Sequence, residues 1–187
     1  MNLPNILTMS RIAAAAVIAS LLLNNNSNGA ALATVIFIAA SVTDFYDGYL
    51  AKTSGQVSDF GKIMDPIADK VLVLTVFGAL AYLGLLAWWM VMVIAAREVA
   101  VTVSRLKAMA QGRVLAAETM GKIKTVFQMA SVSLALLFLT VEQSAFAQTW
   151  FYKVDLPWRG VINLFMLVSV VLTLVSGIAY FRKCRCA

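Results

Sequence analysis

Long apolar runs separated by short polar segments dominate the sequence. Each apolar run is close to the ~20 residues that a helix needs to cross the hydrocarbon core of a bilayer. The breaks fall at polar or glycine-containing segments: residues 24–29, 52–61, 84, 111–113 and 142–159. The pattern predicts an all-α membrane protein, a six-transmembrane-helix bundle forming a single domain over residues 1–187, with helices over 5–23, 30–50, 61–83, 86–108, 119–141 and 160–181.

The first 29 residues have a second interpretation. Arg11 precedes an apolar run, as the charged region of a signal peptide does. That region would be long and weakly charged, and it contains Pro4, Asn5 and Thr8. We therefore favour a first membrane helix over a cleaved leader.

Composition and charge support the membrane interpretation. The chain is 61% hydrophobic and 13% charged, whereas soluble domains carry about 25% charged residues. Of its 15 Lys and Arg residues, all but Lys153 and Arg159 fall on the side that also holds both termini. This bias predicts a multi-pass protein of the cytoplasmic membrane with cytoplasmic N- and C-termini. The net charge of +6 is then explained by anionic membrane lipids rather than nucleic acid.

The sequence has no histidine and two cysteines. Proton transfer near neutral pH must therefore use a carboxylate, lysine, tyrosine or cysteine, and imidazole-bound zinc is excluded. Cys184 and Cys186 lie in the basic C-terminal tail. We expect an ordinary reduced tail there, with lipidation or metal binding as alternatives.

Five aspartates lie in residues 44–69, DFYDGYLAKTSGQVSDFGKIMDPIAD. Asp44 and Asp47 are three apart, and Asp65 and Asp69 are four apart, so each pair shares a face of its helix. Two consecutive antiparallel helices can aim four carboxylates at one point near the cytoplasmic boundary. Such oxygens suit Mg²⁺ or Mn²⁺, and four could hold two ions, while Asp59 is better explained as a helix cap or ion-pair partner.

Two classes of function remain open from the carboxylates alone. A two-metal site can clamp a phosphoryl group during a displacement reaction. A divalent-cation channel or carrier could instead use the cluster as its filter. The glycines favour the enzyme, because Gly48 and Gly61 would let a bulky phosphorylated ligand approach the backbone.

The stretch resembles the signature of the CDP-alcohol phosphatidyltransferases, D-x2-D-G-x2-A-R-x8-G-x3-D-x3-D. The resemblance implies displacement of CMP from a CDP-linked lipid by an alcohol, two metal ions on the four aspartates, and Asp69 as the base. It also implies a homodimer. One position departs from the pattern, because Lys52 replaces the usual arginine and lacks its bidentate fork for phosphate. The implied cytidine diphosphate site contains Gly48, Ala51, Lys52, Ser58 and Gly61, of which Ser58 could equally be a turn residue.

Two further segments are similar to the phosphatidylglycerophosphate synthases within that family. They are NLPNILTMSR at the start and REVAVTVSRLKAMAQGRVLAAETMGKIKTVFQ over residues 97–128. The resemblance implies CDP-diacylglycerol as donor and sn-glycerol 3-phosphate as acceptor; a sibling enzyme with another acceptor, such as a cardiolipin synthase, is the alternative. Asn5 and Thr8 would face the donor, and the candidate phosphate-binding residues are Arg11, Arg97, Arg105, Lys122 and Lys124. Helix capping by Asn5 and Thr8 and snorkelling of basic side chains are the structural alternatives.

Overall fold

The computed structural model describes the backbone over residues 3–24, 28–54, 59–110, 119–143 and 158–185. Side chains are described over residues 9–24, 28–43, 67–68, 70–108, 123–143 and 158–182. This part of the chain is helical, and we number its helices in order. They are α1 (Leu3–Leu23), α2 (Gly29–Ser54), α3 (Asp59–Tyr82), α4 (Trp88–Ala110), α5 (Thr119–Gln143) and α6 (Trp158–Arg185).

Each of the six predicted helices is present in the described part of the chain, with ends that differ from the prediction by at most four residues. The largest local difference concerns the predicted break at 52–61. Lys52 lies inside α2 and Gly61 inside α3, so both helices extend into the predicted break. The good helix formers Ala51 and Lys52 allow α2 to continue beyond its apolar run.

The helices pack around one apolar core. Helix α1 contacts α2 and α3, α5 contacts α2 and α6, and α4 contacts α3 and α6. Ile18 of α1 is completely buried, which makes α1 an integral part of the bundle. The largest fully buried side chains come from all six helices: Ile18, Phe37, Phe77, Leu80, Ile94, Leu136, Ile162 and Met166.

The outer surface of the described helices is also apolar. Val35, Met92 and Val126 expose more than 60% of their surface, which a bundle in water would avoid and a bundle in lipid would not. Among the residues with described side chains, two helical segments are long and apolar enough to cross a membrane, Ile123–Gln143 and Trp158–Arg182. Three shorter apolar segments, Met9–Leu23, Gly29–Thr43 and Lys70–Tyr82, lie in α1, α2 and α3.

A glycine turn joins α3 to α4. Gly84 has φ of +74°, a conformation that glycine adopts without a Cβ penalty. Its N–H donates to Ala81 O, and Leu85 N–H donates to Leu80 O, both at 3.0 Å. These two hydrogen bonds form a Schellman motif, which ends α3 at the break that the sequence predicts at residue 84.

Polar side chains on one face of α5 join it to its neighbours. Lys124, Gln128 and Ser131 lie four and three residues apart, so they share that face. Gln128 Nε2 donates to Thr173 Oγ1 of α6 at 3.3 Å, and the Ser131 and Ser169 hydroxyls are 3.2 Å apart. Such bonds between membrane helices contribute about 0.6 kcal/mol each on average. They therefore add little to the stability of the α5–α6 contact, and their main effect is to fix the relative position of the two helices.

Candidate active site

The backbone places the two aspartate pairs at the same end of the bundle. Asp47 lies seven residues before the end of α2, and Asp65 lies six residues after the start of α3. At a rise of 1.5 Å per residue, each is about 10 Å along its helix from the short connection. Equal depth on consecutive helices is what a shared carboxylate site requires, and carboxylate oxygens are suitable donors for Mg²⁺ or Mn²⁺.

All predicted donor and metal residues, and Lys122 of the predicted acceptor site, lie outside the described side chains. Ser58 lies between the described segments, and the others lie in helices α1, α2, α3 and α5. The predicted side-chain roles of these residues therefore stay predictions: Asn5, Thr8, Asp44, Asp47, Gly48, Ala51, Lys52, Ser58, Gly61, Asp65, Asp69 and Lys122.

One carboxylate joins two of the predicted phosphate-binding cations. Glu98 Oε1 accepts a hydrogen bond from Arg97 Nη1 at 3.2 Å and another from Lys124 Nζ. The side chains are 11%, 9% and 6% exposed for Arg97, Glu98 and Lys124. The structure thus brings Arg97 and Lys124 together across α4 and α5, and the three residues form what we call the Arg97 cluster.

Helix α6 supplies a third contact to this cluster. Arg97 Nη2 donates to Ser176 Oγ at 2.8 Å. The adjacent Gly177 lies so close that a Cβ there would be 3.2 Å from Arg97 Cγ. The guanidinium is therefore held between its own helix and α6.

A cavity of about 810 Å³ opens beside Arg97 between α4 and α6. Arg97 and Arg182 are its charged lining residues, and Gly177 also lines it. The remaining walls are apolar side chains and alanines of both helices: Val93, Ala96, Ala100, Leu174, Ile178 and Phe181. Arg97 therefore has packing on one side and open space on the other.

The other described phosphate candidates are placed differently. Arg11 is 6% exposed on α1, which packs against α2 and α3. Arg105 is exposed on α4, about two turns beyond Arg97. Within the described part of the chain, no hydrogen bond or ion pair joins Arg105 to the Arg97 cluster.

Glu98 and Ser176 are site neighbours that the sequence did not reveal. Glu98 follows Arg97 directly in the sequence, and this adjacency was the available sign that the two side chains could pair. Ser176 is 79 residues away from Arg97, and no spacing rule connects them. A Ser-Gly pair inside an otherwise apolar span was the only local hint.

A comparison of the whole chain decides the family. The model of the CDP-alcohol phosphatidyltransferase family matches residues 1–175. The chain belongs to this family. The resemblance stated from the aspartate signature is thereby confirmed.

Curated members of the CDP-alcohol phosphatidyltransferase family align with nearly all of the chain. A Bacillus subtilis protein named CDP-diacylglycerol–glycerol-3-phosphate 3-phosphatidyltransferase is 39% identical over 97% of this chain and 94% of its own length. A Rickettsia bellii protein of the same name is 35% identical over 98% and 96%. A probable phosphatidylglycerophosphate synthase of Mycobacterium tuberculosis is 34% identical over 97% of this chain and 81% of its own length.

Proposed function

We propose that this chain transfers the phosphatidyl group of CDP-diacylglycerol to sn-glycerol 3-phosphate, releasing CMP and forming phosphatidylglycerol phosphate. The relatives of matching length carry names for this reaction. In the reaction, an acceptor hydroxyl oxygen bonds to the phosphorus that carries diacylglycerol, and the bond from that phosphorus to the CMP oxygen breaks. The proposal requires a site for each of two phosphorylated substrates.

The Arg97 cluster is the observation that best supports a phosphorylated acceptor. When all three groups are ionised, two cations share one carboxylate, so the cluster carries a net charge of +1. An excess charge inside a bundle is costly unless a counter-charge accompanies it. The phosphate dianion of glycerol 3-phosphate would supply that counter-charge, whereas an uncharged sugar alcohol would not.

The four signature aspartates would hold one or two Mg²⁺ or Mn²⁺ ions. When bound, the ions would neutralise the donor diphosphate and stabilise the charge that develops on CMP. Asp44 and Asp47 would contribute from α2, and Asp65 and Asp69 from α3.

Side chains and backbone groups of the protein would bind the donor and accept the proton of the acceptor hydroxyl. Lys52 would contact the diphosphate, beside the backbone at Gly48 and Gly61. Asn5, Thr8, Ala51 and Ser58 would complete the donor site. Asp69 would take the proton of the acceptor hydroxyl, in a chain that has no histidine for that role.

On the acceptor side, Arg97 and Lys124 would bind the phosphate, together with Lys122, Arg105 and Arg11. Arginine suits this task because its planar fork makes two charge-assisted bonds to phosphate oxygens.

CMP release from the purified protein in lipid nanodiscs tests the proposal. We expect release only when CDP-diacylglycerol, sn-glycerol 3-phosphate and Mg²⁺ are all present. EDTA should abolish it, and added Mg²⁺ or Mn²⁺ should restore it. Release with phosphatidylglycerol, serine or inositol phosphate in place of glycerol 3-phosphate would overturn the acceptor while leaving the family unchanged. Undiminished release after EDTA would overturn the metal site.

We also propose that all six helices cross the cytoplasmic membrane, with both termini and the active site on the cytoplasmic side. The apolar outer surface and the one-sided distribution of Lys and Arg support this topology. The chain's two cysteines, Cys184 and Cys186, are natural reporters for it. In right-side-out vesicles, an impermeant maleimide should label them only after lysis. Asn28→Cys, in a background lacking both native cysteines, should be labelled before lysis, and the reverse pattern would overturn the topology.

The family resemblance also leads us to propose a homodimer. Light scattering of the detergent-solubilised protein, corrected for bound detergent, should give twice the mass of the 20.2 kDa chain. A mass of one chain across the concentrations used for the assay would contradict this.

A further inference from the structure

The side chain of Arg97, which belongs to α4, contacts two adjacent residues of α6. Its Nη2 donates to Ser176 Oγ at 2.8 Å. The Ser176 hydroxyl in turn donates to the carbonyl of Thr173 at 3.2 Å, which turns its lone pairs away from its own helix and towards Arg97. The serine is therefore oriented as an acceptor for the guanidinium.

Gly177 provides the space that the arginine occupies. A Cβ at this position would lie 3.2 Å from Arg97 Cγ and 3.3 Å from Arg97 Nε, which is tighter than ordinary van der Waals contact. Glycine inside a helix is less stable than alanine by roughly 0.5–1 kcal/mol. Since Gly177 has no positive φ, the room it leaves for Arg97 is the reason that the structure offers for it.

The contacts of Arg97 are divided between two partners. Nη1 binds Glu98 and Nη2 binds Ser176, while Nε is buried without a hydrogen-bond partner among the described residues. The cavity between α4 and α6 lies beside the same side chain. Without the contact to α6, the long arginine side chain could rotate into that open space and away from Lys124.

We infer that Ser176 and Gly177 form a seat on α6 that positions Arg97 for the acceptor phosphate. This inference rests on the proposed function and adds a part of the chain, the sixth helix, that carries none of the signature residues. The seat does not touch the reacting atoms. It acts through Arg97, by holding the guanidinium in one rotamer next to Glu98 and Lys124.

Steady-state kinetics with glycerol 3-phosphate as the varied substrate test the seat. Ser176→Ala removes the acceptor of a charge-assisted bond, and we expect KM for glycerol 3-phosphate to rise roughly three- to tenfold. Ser176→Thr keeps the hydroxyl and should restore most of the affinity. Gly177→Ala should raise the same KM, while KM for CDP-diacylglycerol stays unchanged in all three variants.

Gly78→Ala is the matched control. Gly78 lies inside α3, and a Cβ there would meet nothing within 4 Å. This variant should therefore keep the wild-type KM. If Gly78→Ala and Gly177→Ala behave alike, the effect is one of helix propensity and the seat is wrong.

A double-mutant cycle separates positioning from general packing. In an Arg97→Ala background the seat has nothing to hold, so Ser176→Ala and Gly177→Ala should cause no further loss of kcat/KM. Thermal stabilisation by glycerol 3-phosphate gives a second readout, since a ligand that binds the folded protein raises Tm. It should shrink in each single variant.

The outcomes distinguish this inference from the proposed function. Wild-type protein that shows neither glycerol 3-phosphate-dependent CMP release nor stabilisation overturns both. Wild-type protein that shows both effects, with seat variants equal to it or with additive losses in the Arg97→Ala background, overturns the seat alone.

Discussion

Lys124 of α5 and Glu98 of α4 form an ion pair inside the bundle, with each side chain less than 10% exposed. Glu98 also accepts a hydrogen bond from the neighbouring Arg97. One carboxylate therefore ties α4 to α5 and restrains the arginine that α6 contacts.

Glu98→Gln should destabilise the protein strongly. Removing one partner of a buried pair leaves the other charge uncompensated, at a cost of about 3–5 kcal/mol. We expect a clear fall in Tm of the detergent-solubilised protein. Glu142→Gln, at an exposed position of the same bundle, is the control and should leave Tm unchanged. Adding Lys124→Met to Glu98→Gln should recover much of the loss, and a further fall instead would contradict the pairing.

Arg97→Lys should weaken acceptor binding more than turnover. Lysine keeps the charge but cannot reach Glu98 and Ser176 with two separate nitrogens. We expect KM for glycerol 3-phosphate to rise roughly tenfold, in line with the loss of a charge-assisted bond. Arg159→Lys, at an exposed site near the start of α6, is the matched change. An unchanged KM in Arg97→Lys would remove Arg97 from the acceptor site.

Asp69→Asn should abolish turnover if Asp69 is the base. The amide cannot take the proton of the acceptor hydroxyl, and it is a poorer ligand for Mg²⁺ than a carboxylate. We expect at least a roughly hundredfold fall in kcat. Asp59→Asn, at the first residue of α3, should keep near wild-type kcat because Asp59 is assigned only to capping or ion pairing. Substantial activity in Asp69→Asn would assign the base to another group.

Lys52→Arg tests the one departure from the family signature. Arginine would bring a bidentate fork to the donor diphosphate, so we expect KM for CDP-diacylglycerol to fall by a factor of roughly two to five. Lys52→Gln, which removes the charge, should raise it. A loss of activity in Lys52→Arg would show that this site is adapted to the shorter lysine head group.

The sequence by itself determined the helices and the family. Apolar runs of membrane-spanning length identified six helices. In lipid, the backbone of a single apolar segment satisfies its own hydrogen bonds by forming an α-helix. The aspartate signature could be read because its residues are close in sequence, and helical periodicity converts spacing directly into a shared face. The break at Gly84 could be predicted for a similar local reason, because glycine readily adopts the positive φ that ends α3.

Tertiary structure alone decided what surrounds Arg97. Glu98 could be seen beside it. Its bond to Lys124, 26 residues away, depends on how the bundle as a whole places α4 and α5. Ser176 and Gly177 reach Arg97 only because α6 returns to α4. Sequence periodicity defines the faces of one helix and carries no information about which other helix a face will meet. The packing of the whole bundle decides which helices meet. In this protein it places Ser176 and Gly177 of α6, a helix without signature residues, against Arg97 of the candidate phosphate site.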